Sequence, residues 1–175
     1  MLELPEGVIL RTLTRHEDAR GSLYELYRAE WTPVPPFLQW NVARSVPKVL
    51  RGVHVHPRHC DYLHVLTGEM RLGLHDLRPD DPAARTTCVV TLQGADPTVI
   101  FVPPGVCHGF FFPVETTYIY GLSTGWSMNE ELGCRYDDPA LGLDWGVSAP
   151  LLSPRDTAPA TDYGAMRAAW LASQT

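Results

Sequence analysis

Short hydrophobic runs separated by turn residues extend along most of the chain. Each run is rich in leucine, β-branched or aromatic residues, and several alternate in polarity as half-buried strands do. The runs are VILRTL, SLYELY, FLQWNVARS, KVLRGVHV, YLHVLTG, MRLGLHDL, TCVVTL, TVIFVP and TTYIYGLS. Turn residues recur at roughly 8 to 12 residues, the spacing typical of a β-sandwich or β-barrel. The pattern therefore predicts an all-β fold.

The remaining segments predict loops and one short helix. RPDDPAAR reads as a hairpin loop, because its Pro and Asp residues do not continue a strand. After about Asp137, Pro and Asp punctuate a stretch that we expect to wrap over the barrel as ordered loop. Only GAMRAAWLASQ predicts a helix, since Ala, Met, Leu and Trp recur there without a breaker. We expect one domain over residues 1–175, with a barrel over about 8–125 and a wrapping segment over about 126–175.

Composition narrows the class of protein. A net charge of −6, from 20 acidic and 14 basic side chains, argues against nucleic-acid or anionic-membrane partners. The four cysteines form no CxxC pair, which is typical neither of a disulfide scaffold nor of a thiolate zinc site. No apolar run of about 18 residues occurs, and the first residues lack a signal-peptide pattern. We expect a soluble protein of the cytoplasm.

Histidines cluster in one segment of the chain. Four of the seven lie in RGVHVHPRHCDYLHVLTG, at positions 54, 56, 59 and 64. Alternate residues of a strand share a face, so His54 and His56 form one pair while Tyr62 and His64 form another. A single imidazole could equally cap a strand end, but the clustering favours a site in which one pair faces the barrel interior.

The spacing of His54, His56, Asp61 and Gly68 resembles the first motif of the cupin superfamily, with Asp in place of the usual Glu. Downstream, PPGVCH is similar to the second cupin motif, PxGxxH, which would bring His108 to the same interior patch. The resemblance implies a cupin or jelly-roll β-barrel. Three imidazoles and a carboxylate also suit one divalent transition metal, so His54, His56, Asp61 and His108 form a possible ligand set.

Longer segments resemble one cupin branch, the dTDP-4-dehydrorhamnose 3,5-epimerase family. These segments are DARGSLYELYR, LQWNVARSVPKVLRGVHVHP, VPPGVCHGFF, RYDDPALGLDW and PLLSPRDTAP. The last two do not belong to the general cupin pattern, which makes the resemblance specific. It implies an isomerase that epimerises a nucleotide-linked 4-keto-6-deoxyhexose at C3, at C5 or at both. It also implies a homodimer whose N-terminal strands cross over, and no cofactor.

The resemblance also implies roles for individual residues. His54 would be the base, Asp156 would hold one of its ring nitrogens, and Tyr120 would be the acid that returns a proton to the opposite face of the sugar. An imidazole pKa near 6.5 suits proton transfer at neutral pH. The implied substrate-binding residues are Arg20, Glu25, Gln39, Asn41, Arg51, His108 and Arg155. Arginines pair well with diphosphate oxygens, and Tyr24 or Trp126 could stack on a pyrimidine.

Two positions depart from the family pattern. Asp61 stands where the family carries a lysine that helps to stabilise the developing enolate, and a carboxylate there would repel an oxyanion. His56 replaces the Gln of the family's GLHxQ segment. Both changes move the sequence back towards the metal-binding cupin pattern.

Two explanations of these departures are open. In the first, His54 remains the base and another imidazole donates a hydrogen bond to the oxyanion. The imidazoles available are those of His56, His64 and His108. In the second, a metal bound by the four-residue cupin set acts as a Lewis acid. The two exclude each other at His54, because a ligating nitrogen has no lone pair for a proton. Since Asp156 and Tyr120 are both present, we favour the first and expect no metal.

Three alternative functions are compatible with the same residues. A ketoisomerase of the same nucleotide sugar would use a similar base and acid and differ in where the proton returns. A metal-dependent cupin enzyme would lose activity on chelation. A non-catalytic sugar-binding cupin would keep the arginines but exchange no substrate protons with solvent.

Overall fold

Two five-stranded antiparallel sheets form the body of the protein. The computed structural model describes residues 2–34, 36–127, 131–158 and 161–174. In chain order the strands are β1 (Ile9–Thr12), β2 (His16–Asp18), β3 (Gly21–Leu23), β4 (Gln39–Ser45), β5 (Leu50–Val55), β6 (Asp61–Thr67), β7 (Glu69–Asp76), β8 (Thr87–Gln93), β9 (Thr98–Val102), β10 (Val106–Phe111), β11 (Thr116–Leu122) and β12 (Leu132–Gly133). The first sheet has the order β1-β9-β6-β11-β4 and the second β12-β5-β10-β7-β8, while β2 and β3 form a separate hairpin.

The main core lies between the inner faces of these two sheets. Leu63 and Ile100 of the first sheet pack in one cluster with Leu72, Leu74 and Val106 of the second. All five side chains are essentially buried, and burying a side chain of this size contributes about 1.5–3 kcal/mol. In β4, and in β8 from Val90 onwards, buried or half-buried positions alternate with exposed ones, as expected of strands with one face towards solvent. The predicted all-β, jelly-roll class is confirmed.

The C-terminal segment covers the outer side of the second sheet. The helix α1 spans Pro154–Thr157, and α2 spans Tyr163–Ala172. The side chains that α2 buries, Tyr163, Met166 and Trp170, recur at helical spacing and pack in one cluster with Leu77 and Trp145. The helix predicted at the end of the chain is therefore present. The one-turn helix α1 was not predicted, because it is too short to show a periodic pattern.

The structure differs in detail from the sequence prediction at two strands and one loop. SLYELY forms a strand only as far as Leu23, and β10 was not among the predicted runs. RPDDPAAR does connect two paired strands, β7 and β8, but includes a short 3₁₀ turn at Pro82–Ala84 that Asp81 caps. Within the described part of the chain, no helix is both long and apolar enough to cross a membrane.

Candidate active site

A cavity of about 460 Å³ opens between the two sheets. The first sheet lines it with Ala43, Asp61, Tyr118, Tyr120 and Leu122, and the second sheet with Leu50, Arg51, His54, His108 and Phe110. The C-terminal segment and the loop before it close one side with Trp126, Glu131, Leu151, Leu152, Ser153, Arg155 and Asp156. Because both sheets contribute side chains, a ligand in this cavity would be contacted from two sides.

The pairing of β5 with β10 sets the positions of two histidines. His54 and His108 are direct partners in this antiparallel register, which shifts between His108 and Phe110. Gly52 lies at the same irregularity with a φ of +108°, and a Cβ atom there would lie 2.9 Å from the Cα of Gly109. Only glycine fits such a conformation and approach without strain. The RGVH sequence thus brings His54 beside His108 at the cavity wall.

His54 is held by a carboxylate from the C-terminal segment. Its Nε2 lies 3.0 Å from Oδ1 of Asp156, which belongs to α1 and is only 7% exposed. The Ser153 hydroxyl donates to Oδ2 of Asp156 at 2.7 Å, and the Asp156 amide donates to the same hydroxyl oxygen at 3.1 Å. Burial opposes ionisation, but the hydrogen bonds from His54 and Ser153 outweigh it and lower the pKa of Asp156 below its usual value. The structure therefore forms a carboxylate–imidazole dyad.

A second ionisable cluster surrounds Asp61 at the start of β6. Its Oδ2 lies 3.6 Å from Nε2 of His56, 3.6 Å from Nε2 of His108 and 3.9 Å from Nε2 of His59. The rings of His56 and His59 stack with centroids 3.8 Å apart. Burial raises the pKa of Asp61 well above its usual range. It lowers the pKa of His56 well below its usual range and that of His108 to about 4, so these imidazoles are neutral at pH 7.

The four-residue metal set implied by the cupin motifs does not converge as a unit. Donor atoms of His56, Asp61 and His108 all lie within 4.8 Å of one another. His54 is not part of this group, and its Nε2 lies beside Oδ1 of Asp156 at 3.0 Å. The structure thus divides the predicted set into a base dyad and a three-residue cluster.

Tyr120 reaches the cavity from the other sheet. It lies on β11, half-buried, with its ring stacked on that of Tyr118 at 5.9 Å. A tyrosine hydroxyl is protonated at neutral pH, and burial raises the pKa of Tyr120 further. Arg51 also lines the cavity and donates through Nε to the Ser45 hydroxyl at 3.2 Å. An acid and a base therefore face the same space from opposite sheets.

A polar network forms the rim of the cavity. The Trp126 backbone amide donates to Oε1 of Gln39 at 3.0 Å, and its indole Nε1 donates to Oε1 of Glu131 at 2.7 Å. Glu131 is also paired with Arg155. Gln39 in turn donates to Oδ1 of Asn41 at 3.1 Å. Gln39 and Asn41 thus support the rim without lining the cavity itself, whereas Trp126, Glu131 and Arg155 line it.

Two of the expected nucleotide contacts lie elsewhere in this chain. Arg20 is exposed in the β2–β3 turn and pairs with Asp18 at 2.6 Å. Glu25 pairs with Arg28, also at the surface. Neither Arg20 nor Glu25 lines the cavity of its own chain.

The pair Tyr62 and His64 faces away from the cavity. His64 Nε2 lies 2.8 Å from the Tyr24 hydroxyl, and its Nδ1 donates to the Thr98 carbonyl at 2.9 Å. Tyr62 is buried in a separate cluster that includes Phe37. Of the two predicted pairs, His54 and His56 line the cavity, so His64 is not placed to contact a ligand there and Tyr24 is not placed to stack on one.

Ser153 and Glu131 are among the cavity residues that were not predicted. Ser153 caps α1 and holds the dyad carboxylate, and the Ser-x-x-Asp spacing of SPRD is a capping-box pattern that could have identified it. Glu131 has no comparable signal, because nothing in its local sequence indicates a contact with Arg155 or Trp126.

The whole arrangement agrees with a family match. The sequence matches the profile of the family described as dTDP-4-dehydrorhamnose 3,5-epimerase over residues 2–161. The chain belongs to this family. The predicted family, the isomerase class and an epimerase function in deoxysugar biosynthesis are thereby confirmed.

A sequence relative aligns with most of the chain, and solved structures superpose on nearly all of it. The spore coat polysaccharide biosynthesis protein SpsL of Bacillus subtilis is 30% identical over 146 residues, which are 81% of this chain and 97% of SpsL. The rmlC epimerase of Mycobacterium tuberculosis superposes with a TM-score of 0.83 at 27% identity, over 97% of this chain and 92% of that one. ChmJ, a 3′-monoepimerase of Streptomyces bikiniensis solved in complex with dTDP-quinovose, gives 0.81 at 28% identity over 99% of both chains.

Proposed function

We propose that this enzyme epimerises a nucleotide-linked 4-keto-6-deoxyhexose of the dTDP-4-dehydro-6-deoxyglucose type at C3, at C5 or at both. The observation that carries the proposal is the His54–Asp156 dyad at the wall of a cavity that Tyr120 enters from the opposite sheet. The ChmJ complex shows that a family member binds a dTDP-sugar.

The dyad defines which nitrogen of His54 would act as the base. An ionised carboxylate only accepts hydrogen bonds, so the Nε2 of a neutral His54 carries the proton shared with Asp156 and leaves the Nδ1 lone pair free. When Nδ1 takes a proton, the adjacent carboxylate stabilises the resulting imidazolium. Asp156 would therefore both orient His54 and stabilise the charge that develops on it during proton transfer.

The chemistry follows from the ketone. A hydrogen on the carbon next to a C4 carbonyl is acidic because its removal gives an enolate. His54 would remove that proton from one face of the sugar. Tyr120, a phenol that is protonated at neutral pH and whose pKa burial raises further, would return a proton to the other face. Removal and return on opposite faces inverts the carbon, which is epimerisation.

The nucleotide would occupy the rim. Arg51 and Arg155 line the cavity and present planar donors for diphosphate oxygens, while Trp126 is 47% exposed and offers a ring on which a pyrimidine can stack. Gln39 and Asn41 would act by holding the Trp126 backbone in place. The enzyme would work in the cytoplasm, where nucleotide sugars are made available to biosynthetic enzymes.

A homodimer would complete the set of nucleotide contacts. Strand β4 is an edge of the first sheet and exposes Trp40 and Val42, at 38% and 68%, and unpaired edges favour association. Crossing over of the N-terminal strands would bring Arg20 and Glu25 to the cavity of a second copy. Light scattering after size exclusion should give twice the chain mass, with Val42→Arg shifted towards the monomer; a wild-type monomer would contradict the dimer.

The function is tested by incubation with dTDP-4-keto-6-deoxyglucose in deuterated water, followed by mass spectrometry and NMR. We expect deuterium at C3, C5 or both, together with an epimerised product. His54→Ala should abolish exchange, whereas His16→Ala, a surface histidine of β2, should retain it. Binding without exchange would instead identify a sugar-binding protein, and a product isomerised at the carbonyl would identify a ketoisomerase.

A further inference from the structure

A buried cluster beside the dyad has no part in the proton transfers described above. It consists of His56, Asp61 and His108, which are 6%, 5% and 3% exposed and all line the cavity. A carboxylate buried to this degree requires a compensating partner. The groups nearest to its Oδ2 are imidazoles rather than a lysine or an arginine.

The hydrogen bonding of His108 leaves a lone pair directed at this carboxylate. Its Nδ1 lies 3.2 Å from the Val106 carbonyl, which can only accept, so in neutral His108 the hydrogen is on Nδ1. The bare Nε2 then faces Oδ2 of Asp61 at 3.6 Å. When Asp61 is ionised, both of these atoms are acceptors, and a cation between them would convert their repulsion into attraction.

The spacing of the cluster fits such a cation. Hydrogen bonds between nitrogen and oxygen are about 2.7–3.2 Å long, so 3.6 Å is too long for a direct bond. Ligand atoms bonded to a tetrahedral metal at about 2.0–2.1 Å lie about 3.3 Å apart. The two imidazole-to-carboxylate distances exceed that value by only a few tenths of an ångström, and the three donor atoms all lie within 4.8 Å of one another. Nδ1 of His56 also lacks a hydrogen-bond partner among the residues that the structure describes, although it is buried.

We propose that His56, Asp61 and His108 bind one divalent transition-metal ion, with a further coordination position open to the cavity. Two imidazoles and one carboxylate are a donor set for Zn²⁺, Fe²⁺, Co²⁺ or Ni²⁺ rather than for Ca²⁺ or Mg²⁺. His54 lies outside this donor group, and its Nε2 is hydrogen-bonded to Asp156. A metal and a histidine base can therefore coexist in this cavity.

The ion would have a role in the reaction, and this part of the inference rests on the proposed function. An enolate oxygen forming near His54 needs positive charge or donors close by. Asp61 alone would repel it, whereas a divalent ion on the cluster would exceed the charge of the carboxylate and attract it. The ion would act as a Lewis acid while His54 removes the proton.

The site itself is tested without substrate. Untagged protein stripped with EDTA is titrated with Co²⁺ and followed by visible absorption, and Zn²⁺ binding is measured by calorimetry. We expect one equivalent per chain. Asp61→Asn and His56→Gln should each weaken binding by more than about 100-fold, since even outer-shell partners of a metal are worth about 10- to 100-fold. His75→Gln is the matched control, because His75 is buried among Thr87 and Tyr163 and should retain binding.

Circular dichroism checks the fold of each variant. If one of the two ligand variants does not fold, the other still tests the site. Absence of saturable binding at one equivalent, or unchanged affinity in a folded Asp61→Asn protein, would overturn the metal site. The cluster would then be a group of imidazoles sharing a proton with Asp61.

Deuterium exchange separates this inference from the proposed function. Exchange that falls more than about tenfold on stripping and returns with Zn²⁺ would support the Lewis-acid role. Deuterium exchange without any metal binding would rule out the metal site but support the epimerase function. Metal binding without deuterium exchange would rule out the epimerase function but support the metal site.

Discussion

Asp156→Asn tests the dyad with a change of only one atom in the side chain. The amide keeps the size of the carboxylate and its hydrogen bond to Ser153, but it carries no negative charge. In the native protein, Asp156 Oδ1 lies 3.0 Å from Nε2 of His54, and both groups are largely buried. The substitution therefore removes one charge from beside the imidazolium that forms during proton abstraction.

The magnitude follows from that geometry. Two unit charges about 4 Å apart interact by about 4 kcal/mol at an effective dielectric constant of about 20. Each 1.36 kcal/mol is a factor of about ten in rate, and the amide dipole restores part of the loss, so we expect kcat for deuterium exchange to fall about 10²- to 10³-fold. KM should change little, because the dyad does not contact the nucleotide.

The assay is the initial rate of deuterium incorporation at saturating substrate, with ¹⁵N chemical shifts of His54 as a second measurement. The shifts should report a change in the tautomer of the imidazole. Asp137→Asn is the matched control, since Asp137 is paired with Arg135 on the surface and should exchange normally. A rate for Asp156→Asn within about threefold of wild type would refute the assigned role, because an effect of that size is below 1 kcal/mol.

Three further changes test neighbouring parts of the site and the fold. Ser153→Ala removes the hydroxyl that is hydrogen-bonded to Oδ2 of Asp156. It should lower kcat about tenfold, as measured by steady-state kinetics, and the free energy of unfolding by about 1 kcal/mol, as measured by urea unfolding. Ser153→Thr should restore part of both. Tyr120→Phe should reduce epimerised product by about 10²-fold or more while His54 still abstracts protons, as seen by NMR of the recovered substrate; equal loss of both would contradict a separate acid. Burial lowers the pKa of His64 and of His75. Below about pH 6.5, these two histidines therefore bind more protons in the unfolded chain than in the folded one. The free energy of unfolding should consequently fall from pH 6.5 to pH 5. A constant urea midpoint over that range would contradict this.

Hydrophobic patterning located most of the strands and missed one that shapes the site. Strand β10 contains Cys107, His108 and Gly109, which do not form an apolar or alternating run. It is a strand because it pairs with β5 on one side and β7 on the other. Such long-range pairing overrides local propensity and does not show in a short window of sequence. SLYELY shows the opposite error, because its pattern predicts a strand that in the structure ends at Leu23. Beyond Leu23 the segment does not pair with another strand.

The candidate site was predictable in composition but not in connectivity. Motif resemblance brought His54 and Asp156 together, although 102 positions separate them and no periodicity relates them. The alternation rule placed His54 and His56 on one face, but β5 ends at Val55, so His56 follows the loop and turns towards Asp61. Sequence spacing therefore identified four possible ligands and could not show that one of them bonds elsewhere.

The separation of His54 from the three-residue cluster allows a direct test between a three-residue and a four-residue metal site. If His56, Asp61 and His108 bind the ion without His54, then His54→Ala should leave Co²⁺ affinity within about threefold of wild type, since the loss of a true ligand is worth far more. The same variant should abolish deuterium exchange. A large loss of Co²⁺ affinity in His54→Ala would instead show that the imidazole leaves Asp156 to complete the four-residue set, and a ligating nitrogen could not then serve as the base. One substitution, measured by two assays, thus decides whether base and metal coexist or compete.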